Sequence, residues 1–133
     1  MVDVEALTLA WLRAQPDLSG VTVGTTRPAD LSARLPFVLV TRIGGGAAPV
    51  SWRGGPLLDQ AGINVQGWAS PDRAAARHLI HQVIGVLIAA RAVAVAEGVI
   101  VRVSVLAGPT ALPDAATPDH VHRFTATVQA TAR

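Results

Sequence analysis

The sequence predicts an α+β fold in which one antiparallel (mixed) sheet of about five strands packs on two α-helices. Two observations predict this fold. Residues 70–91 carry aliphatic side chains at helical spacing, and the flanking segments alternate between apolar and polar residues as strands do. The helical stripe has to be buried, and an alternating sheet offers an apolar face to cover it. The predicted order is α-β-β-β-α-β-β in a single domain, residues 1–133.

The main helix, residues 70–91, is marked at its start and along its apolar stripe. Ser70 is predicted to cap the first free amides, and Pro71 suits the first helical turn. Asp72 complements the positive end of the helix dipole. The stripe consists of six residues: Leu79, Ile80, Val83, Ile84, Leu87 and Ile88.

A first helix is predicted over residues 3–14, with acids near its start and Arg13 near its end. Residues 92–98 are an ambiguous connector, and residues 26–36 are a loop with one helical turn around Leu31. β-Branched content and alternation predict the strands, which are residues 21–23, 37–43, 58–69, 99–106 and 120–132.

Two segments rich in glycine and proline interrupt this pattern. Residues 44–56 are predicted to form an extended hairpin arm or a mobile loop, because such a sequence cannot pack a core of its own. Residues 108–119 are predicted to form a loop punctuated by prolines.

The alternation predicts one sheet face under the helices and one polar face. Every Asp and Glu is assigned to a loop or near a helix end, so the polar face is expected to carry arginines and no acid. Such a face is either ordinary solvated surface or a surface that meets acids of another subunit. Its predicted members are Arg42, Asn64, Gln66, Arg102, Arg123, Thr125, Thr127 and Gln129.

Composition excludes several function classes. The pI near 11.0 reflects the absence of Lys, Tyr and Cys, since the net charge is only +2 and gives little steering toward nucleic acid. No apolar run approaches the roughly 20 residues that span a bilayer. Without cysteine there is no disulfide, thiolate nucleophile or zinc–thiolate site, and synthesis inside the cell fits.

Catalytic and cofactor signatures are also missing, so we predict that the chain is not an enzyme. The acids are scattered, no serine lies in a Gly-x-Ser-x-Gly elbow, and the glycine-rich segment lacks the Gly-Lys-Ser/Thr ending of a phosphate loop. No metal or cofactor is expected. Two histidine pairs could touch a metal by spacing alone, but no acid or thiolate accompanies them, so exposed or capping roles are favoured: His78 with His81, and His120 with His122.

Several stretches together resemble the tail terminator (tail completion, or neck) proteins of long-tailed bacteriophages, particularly those of actinobacteriophages. The likeness covers most of residues 3–132. The stretches that carry it are Val-Asp-Val-Glu-Ala-Leu near the start, Arg27-Pro28 before Phe-Val-Leu-Val-Thr-Arg-Ile-Gly-Gly, the glycine-rich arm, Val-Gln-Gly-Trp-Ala-Ser-Pro before the Ala-rich helix, Ala-Gly-Pro-Thr-Ala-Leu-Pro-Asp, and the final His-Arg-Phe-Thr-Ala-Thr-Val-Gln-Ala-Thr.

The resemblance implies a structural virion protein that is made in the host cytoplasm and forms a ring, usually a hexamer. That ring would cap the tail tube and join it to the head connector, with the genome passing through its lumen. The implied partners are further copies of the chain, the tail tube protein and a head-completion or connector protein, without a membrane and without sequence-specific nucleic acid.

Cyclic rings join two different patches of each subunit. We therefore expect the arginine-bearing face, or a Trp52-Arg53 arm, to meet loop acids of the next subunit. Tryptophan at the tip of an arm more often anchors in a protein groove than on a base. The candidate interface residues are Arg42, Trp52, Arg53, Arg102, Asp114, Asp119 and Arg123.

Three alternatives remain at this point. The chain could be a head-completion or neck protein or a tail tube subunit. It could instead be a small-molecule-binding or enzymatic α+β domain, for which His78, His81 and Arg77 are the local candidates. A nucleic-acid-binding accessory protein is disfavoured by the low net charge and the few aromatic residues.

Overall fold

The computed structural model describes residues 2–50, 56–95 and 98–133. Within these residues two helices and six strands follow one another, with single turns of 3₁₀-helix at Pro16–Leu18 and Leu31–Ala33. The elements are α1 (Val4–Arg13), β1 (Thr22–Gly24), β2 (Phe37–Val50), β3 (Pro56–Ala69), α2 (Arg73–Ile88), β4 (Val93–Val95), β5 (Gly98–Ala111) and β6 (His122–Ala132).

The strands form one sheet in the order β1-β2-β3-β6-β5-β4. Every neighbouring pair is antiparallel except β1 with β2, which is parallel. The predicted α+β class with a mixed sheet is therefore confirmed, although the described part of the chain contains six strands and not five. The missed strand is β4, which lies in the predicted connector and, at three residues, is too short for alternation to reveal.

Helix α2 begins later than predicted. Asp72 has extended backbone dihedrals and its side chain accepts a hydrogen bond from the backbone N–H of Ala75 at 2.9 Å, so Asp72, and not Ser70, is the N-cap. The carboxylate both satisfies a free amide and complements the helix dipole, which explains why it takes this role.

The two candidate caps make a direct comparison of stability possible. Because only Asp72 makes the cap hydrogen bond, Asp72→Ala is expected to lower the free energy of unfolding by about 1 kcal/mol. Ser70→Ala is the matched control and should change it by less than about 0.5 kcal/mol. Urea denaturation measures both variants, and equal losses would contradict the assignment of the cap.

The core lies between the two helices and one face of the sheet, which we call the inner face. The predicted stripe of α2 is largely confirmed, because Leu79, Ile80, Val83 and Leu87 are buried, but Ile88 is 52% exposed at the helix end. Helix α1 is tied to α2 by the indole of Trp11, which donates to the carbonyl of Val86 at 2.9 Å. Burying one such aliphatic side chain contributes about 1.5–3 kcal/mol. The four buried residues of the stripe thus make a substantial contribution to the stability of this fold.

The paired strands extend into segments predicted as loops. Strand β2 continues to Val50 and β3 begins at Pro56, so the described parts of the predicted arm at 44–56 pair as antiparallel strands up to Val50↔Pro56. A β-bulge interrupts this ladder between Arg42 and Gly44. Strand β5 likewise runs on to Ala111, past Gly108 and Pro109, with three further irregularities against β6.

Candidate assembly surface

The face of the sheet that points away from the helices, here called the outer face, carries a hydrogen-bonded polar ladder. The strand register sets Asn64 opposite Thr127 and Gln66 opposite Thr125. The amide of Asn64 donates to the hydroxyl of Thr125 at 2.8 Å, and Gln66 donates to Asn64 at 3.0 Å. These predicted polar residues therefore hold one another in place, which gives the outer face a fixed pattern of donors and acceptors.

Arg42 does not belong to this face, so its predicted position is wrong. It stands opposite Ile63, a fully buried residue of the inner face, and its guanidinium lies 3.8 Å from the carboxylate of Asp59. Asp59 lies within β3 and is only 4% exposed, which corrects the assignment of every acid to a loop or helix end. Because Asp59 stands opposite the buried Ala132, it points to the inner side and leaves the described strand residues of the outer face without an acid.

One end of the outer face is covered by loops. Trp68 belongs to this face but is 1% exposed, since it packs with Leu31, Phe37 and Val121 in a second apolar cluster. Leu31 and Val121 come from the loops that precede β2 and β6. The two loops therefore fold over the end of the sheet at which β2 begins and β3 ends.

Four side chains fasten these loops, and we call Arg27, Trp68, Asp114 and Arg123 together the Trp68 clamp. The indole N–H of Trp68 donates to Oδ2 of Asp114 at 2.9 Å, and Nη1 of Arg27 lies 2.8 Å from the same oxygen. The guanidinium groups of Arg27 and Arg123 stand 5.6 Å and 5.5 Å from the centre of the Trp68 ring, within cation–π distance.

Arg123 completes the clamp by binding the backbone of the second loop. It donates to the carbonyl oxygens of Leu112 and Pro113 at 3.1 Å and 2.7 Å, and to Oε1 of Gln66 at 3.2 Å. Charge-assisted bonds of this kind are stronger than neutral ones. Two predicted interface residues, Asp114 and Arg123, thus have partners inside their own subunit.

The carboxylate of Asp114 makes the clamp sensitive to acid. Burial acts to raise its pKa, but hydrogen bonds from Trp68 and the Ala116 N–H, together with the charges of Arg27 and Arg123, hold the pKa below its ordinary value. A group whose pKa is lowered on folding stabilises the fold fully above its unfolded pKa, about 3.9. That stabilisation is lost as the pH falls through the lower value of the folded protein.

We therefore expect Asp114→Asn to be less stable than the parent at pH 7, with the difference shrinking below about pH 4. Urea midpoints at a series of pH values measure the difference. Asp119→Asn removes a carboxylate from the same loop outside the clamp and is the matched control. A gap between parent and Asp114→Asn that stays constant down to pH 2 would contradict the role of Asp114.

The other predicted interface residues lie apart from the clamp. Arg102 is exposed on β5 opposite Thr131, near the end of the sheet where β6 finishes. Asp119 is exposed in the loop before β6, at the opposite end. Trp52 and Arg53 lie outside the described residues.

The candidates for a small-molecule site do not converge. A shallow groove of about 270 Å³ is lined by Ser70, His78, Gln82 and apolar residues, but not by His81 or Arg77. Within residues 2–50, 56–95 and 98–133, no group of three or more His, Asp or Glu side chains could hold a metal ion. None of the helices described here has both the length and the apolar character needed to cross a bilayer.

Sequence reasoning missed the Trp68 clamp, because its members come from four separate segments. The one local signal was an acid, Asp114, in a proline-rich loop, and its partner Trp68 lies 46 residues away in the sequence. The cation–π geometry around Trp68 depends on the strand register, which sets Arg123 directly opposite Trp68 and cannot be obtained from either segment alone.

The comparisons with known proteins give a shared fold and a family. A chain in a solved structure described as "Virion of native gene transfer agent (GTA) particle" has a similar fold, with a TM-score of 0.61, 16% identity and coverage of 97% of this chain and 93% of the other. No protein of curated function matches the sequence. The family described as phage tail termination protein matches residues 1–131, and the chain belongs to this family of structural, non-enzymatic virion proteins.

Proposed function

We propose that the chain is a tail terminator whose copies close into a ring, hexameric in our proposal, that caps the tail tube and joins it to the head connector. It is made in the host cytoplasm and incorporated into the virion. Membership of the phage tail termination family over residues 1–131 supports this role. The fold similarity to a chain of a gene transfer agent virion is consistent with it.

The single observation that carries the docking role is the Trp68 clamp. Loops that connect strands are usually the mobile part of a domain. Here Asp114 and Arg123 fasten the loops to the buried ring of Trp68, so one end of the sheet presents a fixed surface. A fixed surface loses less conformational freedom when it binds a preformed partner, which favours docking to the end of a rigid tube or connector.

The proposed residues of the subunit interface then divide into three groups. Arg102 and Asp119 are exposed and at opposite ends of the sheet, so they can meet only on different copies or on other proteins. Arg42, Trp52 and Arg53 belong to β2 and the arm, and we propose that they contact the neighbouring subunit. Asp114 and Arg123 contribute by shaping the end of the sheet that the loops around Leu31 and Val121 cover, which we call the docking end.

Growth of tail tubes in vitro tests the proposal. Purified tail tube protein should polymerise into tubes of variable length, and adding this chain should stop elongation and leave one bound ring at a tube end, visible by electron microscopy. Native mass spectrometry should give a single ring mass in the presence of the tube protein. Incorporation along the tube would identify a tube subunit instead, and binding only to the head connector would identify a head-completion protein.

Two serine variants distinguish ring formation from docking to the tube. Arg123→Ser should weaken tube capping while rings still form, because it releases the loops of the docking end. Arg102→Ser should instead reduce the fraction of ring, because Arg102 is exposed on the sheet and makes no clamp contact. Capping and ring mass that are unchanged in both variants would overturn these assignments.

A further inference from the structure

The sheet has two edges that are open over most of their length. Strand β1 pairs with β2 only at Phe37, Val38 and Leu39, and β4 pairs with β5 only at residues 98–100. Among the described residues no strand lies beside the rest of either edge. We call residues 40–50 the β2 edge and residues 102–111 the β5 edge. Open edges present unpaired N–H and C=O groups and are templates for a further strand.

At one position of the β2 edge, a hydrogen bond shows that a backbone N–H points outward from the sheet. The backbone N–H of Arg42 donates 2.7 Å to a carboxylate oxygen of Glu5 on α1, so it points away from β3 and takes a side-chain acceptor in the absence of a strand. The N–H of Arg42 is therefore satisfied within its own subunit, and a partner strand at this position would have to displace the Glu5 carboxylate.

The two edges fit one another in direction and length. Strands β2 and β5 run in opposite directions within the sheet, so the β5 edge of one copy can pair in antiparallel manner with the β2 edge of the next when both sheets face the same way. This contact uses two different patches of each subunit, as a ring requires, whereas pairing of identical edges would stop at a dimer.

The short outer strands determine how the neighbours are staggered. When the register is followed from β5 through β6 and β3 to β2, Ala111 is level with Val38 and Arg102 is level with Gly46. Strand β1 occupies the outer side of β2 up to Leu39, just before the β2 edge begins. The β5 edge of the neighbouring copy therefore has to shift along β2 by at least two residues, about 7 Å, to clear β1. Such a stagger is what inclined strands produce in closed barrels.

Exposed aliphatic side chains are concentrated at these edges. Ile43, at the bulge of β2, is 58% exposed, and Val105 and Leu106, at a bulge of β5, are 43% and 58% exposed. With the required stagger, Leu106 of one copy comes beside the glycines that follow Ile43 in the next. A stretch without side chains leaves room for a protruding leucine, so the two surfaces are complementary in shape.

From these observations we infer that the β5 edge of each copy pairs with the β2 edge of the next, so that the sheet continues from subunit to subunit around the ring. The occupant of each open edge is thus a second copy of this chain. The inference rests on the proposed function for the closed ring, but it specifies which surfaces meet.

The absence of cysteine from the chain makes a cross-linking test direct. Ile43→Cys and Leu106→Cys are combined in one chain, assembled with tail tube protein, and treated with a short bismaleimide. The double variant should give a ladder of covalent multimers on a denaturing gel, whereas each single variant should give monomer. Ile88→Cys with Leu106→Cys is the matched control, since Ile88 is 52% exposed on α2 and away from the β2 edge.

The outcomes separate this inference from the proposed ring. A ring mass without a covalent ladder would overturn the edge pairing and leave the ring intact. Dimers from a single variant would also overturn it, because they would indicate that identical edges meet. The absence of multimers even with tube protein would overturn both the ring and the edge pairing.

A charge placed on the edge provides a second measurement. Lysine on an exposed edge opposes strand pairing. Leu106→Lys should therefore raise the concentration at which half the chain is multimeric by about tenfold or more. Ile88→Lys makes the same change on a comparably exposed aliphatic residue and should leave that concentration unchanged. Equal effects of the two substitutions would contradict the inference.

Discussion

Replacing Trp68 by alanine is expected to lower the free energy of unfolding by about 3–5 kcal/mol. Trp68 is among the largest fully buried side chains of the protein, at 1% exposure, and it packs on Phe37 with ring centres 5.9 Å apart. The truncation removes this packing and leaves a cavity under the loops. It also leaves the Asp114 carboxylate without its indole donor and takes away the ring beneath Arg27 and Arg123.

Urea denaturation of Trp68→Ala and Trp68→Phe separates packing from hydrogen bonding. Phenylalanine keeps most of the buried ring but cannot donate to Asp114, so its loss should be about 1–3 kcal/mol. The Phe variant is then the matched control for the alanine variant. If both variants lose the same amount, the apolar cluster under the loops contributes little and the clamp is held by its polar contacts alone.

Gly108→Ala is expected to be the second strongly destabilising substitution, at roughly 2–5 kcal/mol. Gly108 lies in β5 with φ of +88°, in the left-handed region that favours glycine. A Cβ there would stand 2.8 Å from the carbonyl oxygen of Thr125 and 2.9 Å from Cα of Ala126. Both are backbone atoms of the central strand β6, so neither can move without disturbing the ladder.

Gly85→Ala is the matched control, because it adds the same methyl group. Gly85 lies inside α2, and nothing lies within 4 Å of the position that its Cβ would take. Alanine is the better helix former, so this variant should be more stable by about 0.5–1 kcal/mol. Thermal unfolding followed by circular dichroism measures both variants. A melting temperature that falls equally in both would contradict the backbone argument for Gly108.

Much of the fold was predictable because long, periodic segments carry their burial pattern in the sequence. The alternation of β6 places Phe124, Ala126 and Val128 inside and the residues between them outside, as predicted. Likewise, the aliphatic spacing of α2 identifies its buried face. In both cases one local period determines which side chains meet the core, so no knowledge of neighbouring elements is needed.

The errors arise where local sequence leaves two solutions open. The sequence pattern predicts Arg42 on the outer face, but Arg42 follows an uninterrupted apolar run, 37–40, in which both faces of β2 are buried or half-buried. Alternation is absent from such a run, so the sequence does not determine on which face of the sheet the Arg42 side chain lies. The start of α2 was ambiguous because Ser70 and Asp72 are both good N-caps, and only the backbone conformation selects Asp72.

The candidate surface was less predictable than the fold, for a physical reason. The sequence predicts Asp114 and Arg123 as charges available to a neighbour, whereas both contact Trp68 of their own subunit, a residue far from them in sequence. Such a cluster depends on strand register and on loop closure at once. Arg102 and Asp119 are exposed, and their contact with another subunit remains a prediction.

The surroundings of Trp68 provide a built-in optical probe. Its indole is in contact with one carboxylate and lies beside two guanidinium groups, all anchored in or against the loops of the docking end. Emission from this ring therefore responds to small displacements of those groups. In a variant that combines Trp11→Phe and Trp52→Phe, Trp68 is the one remaining tryptophan. Its fluorescence can then report the binding of a tube end or connector in real time, without any attached dye.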